Sequence, residues 1–162
     1  MINKYIQLDT KLLLGKAVSA RLKETLHQNI GQLSKNDITP GLAAILVGDD
    51  PASQVYINNK EKAFKKLNCH TRTFHFPNNT DEKNIIQLIE ELNHNTKYHG
   101  ILVQLPLPGH LNTQKIIYSV SPQKDVDGFH PINLGLLLGG DPKFIPCTPS
   151  GIIEILKFYK IP

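Results

Sequence analysis

The sequence predicts an α/β domain: an open three-layer α/β/α arrangement around a mostly parallel sheet. Two observations predict it. Segments of strand length and composition, residues 42–47, 71–76 and 100–105, alternate with longer segments whose apolar residues recur at helical spacing. The first of these strands is apolar at every position, as expected of a strand covered on both faces. In such sheets, sites gather at the carboxyl ends of the strands. Here those places are residues 48–53, 76–79 and 104–109.

Each element has its own warrant. Residues 12–33 read as an amphipathic helix, because Val18, Leu22, Leu26, Ile30 and Leu33 share one stripe, and Thr39-Pro40-Gly41 closes that section. After strand 42–47, Asp50-Pro51 supplies an acceptor N-cap and a proline at the first helical position, opening a helix over 51–67. Strand 71–76 leads to Thr80-Asp81-Glu82, which starts a helix carrying Ile85, Ile86, Leu88, Ile89 and Leu92. The third strand, 100–105, breaks at Pro106-Leu107-Pro108-Gly109. A shorter helix over 112–120 precedes a loop, 121–130, with turn chemistry at Asp127-Gly128. Residues 131–138 form a short helix ended by Gly139-Gly140. Thr148-Pro149 then starts a last helix whose Ile152, Ile153, Ile155, Leu156, Phe158 and Tyr159 occupy most of its circumference. A helix so apolar expects something to pack on it.

Composition bounds the function. A chain of 162 residues, 40% hydrophobic and 20% charged, fits one globular domain with a real core. Its longest apolar runs, such as 101–103 and 134–138, are too short to span a bilayer, and residues 1–14 lack the apolar stretch of a signal peptide, so a cytoplasmic location is expected. Cys69 and Cys147 form no metal-type pair, and the seven histidines show no HxxxH or HxH spacing; reduced thiols and no metal are expected. The net charge of +4 comes from scattered lysines, with only Arg21 and Arg72 as arginines, which is not a nucleic-acid patch. Its mild positive field favours an anionic small substrate.

Four places carry candidate chemistry. On the helix over 51–67, Ser53, Tyr56, Ile57, Lys60, Ala63, Phe64 and Leu67 form one stripe, so Lys60 stands in the middle of the apolar face while Lys62, Lys65 and Lys66 lie off it. Two readings stand: the amine snorkels to the rim, or desolvation prepares it for proton transfer. Gln104, at a strand end before two prolines, either caps the strand or points into a cleft. Asp125 and Asp127 alternate on one segment, so on extended backbone both point the same way; an Asp-Gly turn with solvated acids is the plainer reading. Pro146-Cys147-Thr148-Pro149 is a rigid segment whose cysteine reads as packing or as a thiol at a hinge. The strand-to-helix loop 48–53 holds one glycine and two carboxylates, which would repel a phosphate, and no GxGxxG or Walker sequence occurs.

Taken together, Val47-Gly48-Asp49-Asp50-Pro51-Ala52-Ser53 with Tyr56-Ile57-Asn58-Asn59-Lys60-Glu61-Lys62, then the runs over 100–108, 122–133 and 146–151, closely resemble the bifunctional methylenetetrahydrofolate dehydrogenase/methenyltetrahydrofolate cyclohydrolase family. The resemblance implies an enzyme of folate one-carbon metabolism, supplying purine biosynthesis. It would oxidise 5,10-methylenetetrahydrofolate to the 5,10-methenyl form with NADP and hydrolyse that to 10-formyltetrahydrofolate. It also implies roles: Lys60 as the central catalytic residue, Gln104 supporting it, Tyr56 stacking on the folate, and Asp127 gripping the pterin. Ser53 and Pro106 would line the folate site, and Cys147 and Thr148 the cofactor side. The implied division is a catalytic domain over 1–145 and a linker helix over 146–162. Family members continue past the position of Pro162 into a Rossmann-type domain. This chain is therefore expected to be a fragment that carries the folate wall and not the NADP wall. The family is usually homodimeric through that second domain, so the fragment is expected to be monomeric. One departure is Leu67-Asn68-Cys69, where the family ends the helix with glycine; asparagine tolerates the same left-handed backbone. Two alternatives remain: a catalytically silent folate-binding domain, and a short-chain dehydrogenase reading of Tyr56 and Lys60 as a YxxxK pair. The second lacks the upstream glycine-rich loop that it needs.

Overall fold

The computed structural model describes residues 11–162; what the sequence suggests for residues 1–10, including the start of the expected catalytic domain, lies outside the described residues. The elements run α1 (Gly15–Ser34), β1 (Gly41–Val47), α2 (Pro51–Lys66), β2 (His70–Phe76), α3 (Glu82–His94), β3 (Gly100–Val103), α4 (Thr113–Ser119), α5 (Pro131–Leu138) and α6 (Cys147–Phe158). The three strands form one parallel sheet in the order β2-β1-β3. The predicted α/β class is the observed one.

The apolar strand β1 lies in the middle and is buried along its whole length, because it has a neighbour on each edge and a helix layer on each face. Strand alternation sorts its side chains into two cores. Ala43, Ile45 and Val47 face α3 and α4 with Ile101, Val103, Ile85, Ile89 and Ile116. Leu42 and Ala44 face α2 with Leu102, Ile57 and Phe64. These two packed faces are the interfaces between the three layers.

Three local expectations change. β3 stops at Val103 rather than at residue 105: Gln104 N–H still donates to the Ile45 carbonyl at 2.9 Å, but the prolines that follow have no N–H to continue the ladder. α6 begins at Cys147, one residue earlier than the Thr148-Pro149 signal, with Pro146 in the capping position. The apolar stripe of α1 is mostly on the surface, with Val18 buried but Leu22, Leu26 and Leu33 exposed. The cause is its neighbour: α1 lies against α6 rather than the sheet, and the Tyr159 hydroxyl holds the Leu14 N–H and carbonyl at 3.1 and 3.3 Å. Asn68 takes the left-handed backbone expected of it, with φ of 54°.

Ile45 sits at the centre of the larger core with no exposure. Ile45→Ala should cost about 2–5 kcal/mol of unfolding free energy. Urea denaturation reads this as a lower midpoint at unchanged slope; a loss under about 1 kcal/mol would show that this core is not what holds the sheet.

Candidate active site

After β1 the chain crosses to β2 on one side, then passes over to β3 on the other. The carboxyl ends of β1 and β3 are therefore the point where the strand order reverses, the place where open α/β sheets bind ligands in a crevice. The loop leaving β1 is anchored on both sides. Gly48 turns with φ of 81°, which a side chain would strain; its N–H donates to the Phe76 carbonyl at 2.9 Å and its carbonyl accepts from His75 Nε2 at 2.8 Å. Asp50 Oδ2 then accepts the Ser53 N–H at 2.7 Å, fixing the start of α2. Those hydrogen bonds from Ser53 hold the Asp50 carboxyl below the usual carboxylate range. Their support for α2 is present above that range and lost as pH falls through the lowered value.

Nearly three turns beyond that cap, Lys60 is half-buried and its Nζ donates to Gln104 Oε1 at 3.3 Å. Gln104 Nε2 donates to the Leu105 carbonyl at 2.9 Å, which fixes the amide so that its oxygen faces the amine. The lysine on the apolar stripe thus spans from α2 to the end of β3. Tyr56, one turn earlier, is 63% exposed. The helical stripe puts it among core residues, but this part of α2 stands at the carboxyl edge, where β3 has already ended. Its ring is left as an open face on the cleft wall.

Asp125 and Asp127 have different environments, which their spacing did not distinguish. Asp125 is buried; its Oδ2 accepts from the His130 N–H at 2.8 Å and from Asn133 Nδ2 at 2.9 Å. Asp127 is half-buried and makes none of these bonds. Burial pushes its carboxyl above the usual range, the Lys60 ammonium draws it back, and the Asp125 charge pushes it up again. A small cavity between β3, α4 and this loop is lined by Ile101, Val103, Ile117, Asp125, Asp127 and Phe129.

Of the residues picked out by sequence, Lys60 and Gln104 are hydrogen-bonded, Asp127 lies within reach of the Lys60 charge, and Tyr56 stands one turn before Lys60 on α2. Ser53 is buried in the first turn of α2 against Asp50, so its place is at the cap. Pro106 is exposed just past Gln104. Cys147 and Thr148 are exposed at the start of α6, whose Pro146 abuts the Asp127-Gly128 turn: a Cβ on Gly128, at φ of 69°, would lie 3.3 Å from Pro146 Cδ. Sequence reasoning missed Lys124 and Asn133. Lys124 Nζ donates to the Leu92 and Asn95 carbonyls at the end of α3, both at 2.9 Å, while its own carbonyl accepts the Ile101 N–H at 2.7 Å. Nothing in their spacing signals either role. A wider groove, with Asp37, His70, Lys97 and His99 in its lining, opens at the amino ends of the strands, away from these residues. Among the described residues there is no cluster of three or more metal-binding side chains, and no helix is long and apolar enough to cross a membrane.

A family model described as tetrahydrofolate dehydrogenase/cyclohydrolase, catalytic domain, matches residues 13–127. The bifunctional protein FolD of Acetivibrio thermocellus is 47% identical over 150 residues, covering 93% of this chain and 53% of the relative. The crystal structure of the bifunctional FolD methylenetetrahydrofolate dehydrogenase/cyclohydrolase from Campylobacter jejuni superposes with a TM-score of 0.90 at 46% identity, over 93% of this chain and 54% of that one. The Trypanosoma brucei enzyme, crystallised with NADP cofactor and an inhibitor, gives 0.86 at 29% identity, over 90% and 50%. The chain spans about half the length of the curated relatives it matches.

The raised Asp127 carboxyl makes a signed prediction. The folded chain keeps this proton to higher pH than the unfolded chain, so the associated stability is present below the usual carboxylate range and lost as pH rises through the raised value. Asp127→Asn removes that loss. Urea unfolding across this pH range should show the variant gaining on the parent as pH rises; parallel pH profiles would contradict the assigned environment.

Proposed function

The chain belongs to the tetrahydrofolate dehydrogenase/cyclohydrolase family through its catalytic domain, and from that premise we propose that its crevice binds tetrahydrofolate cofactors of one-carbon metabolism and supports their interconversion. The observation that carries this reading is the convergence of Lys60, Gln104 and Asp127 beside the open ring of Tyr56. Each group suits a folate. The pterin edge presents adjacent N–H donors that the Asp127 carboxylate accepts as a pair, and Tyr56 offers its face to an aromatic ring. The Lys60 amine, aimed by Gln104, reaches the one-carbon centre between them.

For hydrolysis, water adds to the cationic methenyl carbon of 5,10-methenyltetrahydrofolate. In the fraction of time that its amine is neutral, Lys60 takes the proton that the water loses and returns one to the ring nitrogen as its bond to that carbon breaks, leaving the formyl group on the other nitrogen. One proton is released overall. Gln104 restricts the amine to the rotamer in which both transfers occur. Oxidation of the methylene form needs a hydride acceptor, which in our reading is NADP. Of the described residues, only Cys147 and Thr148 stand where that cofactor was expected, and no glycine-rich phosphate loop accompanies them. They do not make a dinucleotide site. In this reading residues 1–145 form the catalytic domain and 146–162 a linker helix, in a monomeric and cytoplasmic protein, the last in keeping with free Cys69 and Cys147.

A second reading, binding without turnover, is favoured by the exposure of Tyr56, since acid–base chemistry gains from a closed, water-poor site. Calorimetric titration with tetrahydrofolate together with a methenyl-hydrolysis assay separates the two. On the catalytic reading Lys60→Met lowers hydrolysis by at least about 100-fold while leaving tetrahydrofolate affinity nearly unchanged. Binding without any hydrolysis selects the second reading, and unchanged hydrolysis in Lys60→Met rejects the mechanism.

A further inference from the structure

Asn133 is one of the most enclosed polar side chains in the chain, with 1% exposure, at the third position of α5. Both of its amide hydrogens are committed. Nδ2 donates to the Pro122 carbonyl and to Asp125 Oδ2, each at 2.9 Å. Those two acceptors fix the amide orientation, because the reversed amide would set its oxygen against two oxygens. Its own Oδ1 is buried with no partner among the described residues. A buried amide with an orphaned oxygen is unfavourable by itself, so its donors must offset that loss. What the asparagine adds is its two donors.

Those donors close a loop on itself. They tie the start of the segment at Pro122 to Asp125, and Asp125 in turn accepts from the His130 N–H, so the segment from 122 to 130 is drawn around one carboxylate. Lys124 pins the same segment to the end of α3 and to Ile101 of β3. Asp127 sits at the tip of this clasp, followed by Gly128 at positive φ. The charged groups acting on it are Lys60 from α2 and Asp125 from its own loop, while the Lys124 ammonium is turned to the α3 carbonyls. Direct contact with Asp127 is not what Asn133 provides.

We propose that Asn133 is a positioning residue: through Asp125 it holds the 122–130 loop so that the Asp127 carboxylate faces Lys60 across the crevice. What Asp127 then recognises, the pterin edge, rests on the folate reading above. The clasp aims a flexible turn from a short helix behind it, so the ligand-facing group is fixed before the ligand arrives.

The test uses the whole chain and two graded substitutions. Asn133→Leu removes both donors, whereas Asn133→Ser keeps one hydroxyl donor and leaves room for water, so it remains informative where the leucine variant fails to fold. The first readout needs no ligand: side-chain carboxyl carbon NMR follows the titration of Asp127. Its midpoint should fall toward the usual carboxylate range, further in Asn133→Leu than in Asn133→Ser, as the loosened turn exposes the group to water. The second readout is tetrahydrofolate affinity, which should weaken roughly tenfold in Asn133→Leu yet change no further when that substitution is added to Asp127→Asn. A lower thermal midpoint with an unmoved Asp127 titration would make Asn133 a structural prop only and overturn the proposal. If the parent chain binds no tetrahydrofolate while the Asp127 titration still responds to Asn133, the positioning holds and the folate reading falls.

Discussion

A half-buried ammonium needs partners, and the requirement placed on Lys60 organises this end of the molecule. Its partners come from separate parts of the chain: the Gln104 amide at the end of β3, and the Asp127 carboxylate on the loop before α5. Neither is near Lys60 in sequence. They meet because β1 and β3 are parallel neighbours with their carboxyl ends on one edge, and because α2 starts on that edge and runs back over the sheet. The two charges also balance each other: burial disfavours the Asp127 carboxylate, and the ammonium across the crevice offsets part of that penalty. Removing the ammonium leaves the Asp127 carboxylate with less to compensate its desolvation.

Rigidity around this pair comes from backbone anchors rather than from the site residues. The Asp50 cap and the His75 contact with Gly48 fix the entry of α2, and so the turn on which Tyr56 and Lys60 stand. The Asp125, Asn133 and Lys124 contacts fix the opposite wall. Between these walls Tyr56 remains open to solvent, which suits a surface that receives a flat ring.

Much of this was legible in the sequence because it depends on local chemistry. The uniformly apolar 42–47 run announced a strand covered on both faces, Asp50-Pro51 announced a helix start, and a lysine on an apolar stripe announced a group in need of partners. The family resemblance is borne out by the match over residues 13–127. What sequence could not give depends on tertiary neighbours. The α1 stripe looked like a core face, but α6 lies beside it and most of its leucines stay exposed. Tyr56 looked buried because periodicity does not know where a sheet ends. Asp125 and Asp127 looked equivalent because alternation gives direction, not surroundings; Asn133 separates them, and its part is invisible until the loop closes on itself.

All of these roles require that folate lie in the crevice between α2 and the Asp127 turn. Backbone amide NMR of the labelled chain, titrated with tetrahydrofolate, tests this most directly. Shifts should concentrate at Tyr56, Lys60, Gln104, Asp127 and their immediate neighbours and saturate together. Shifts clustered instead around Asp37, His70, Lys97 and His99, at the amino ends of the strands, would contradict it.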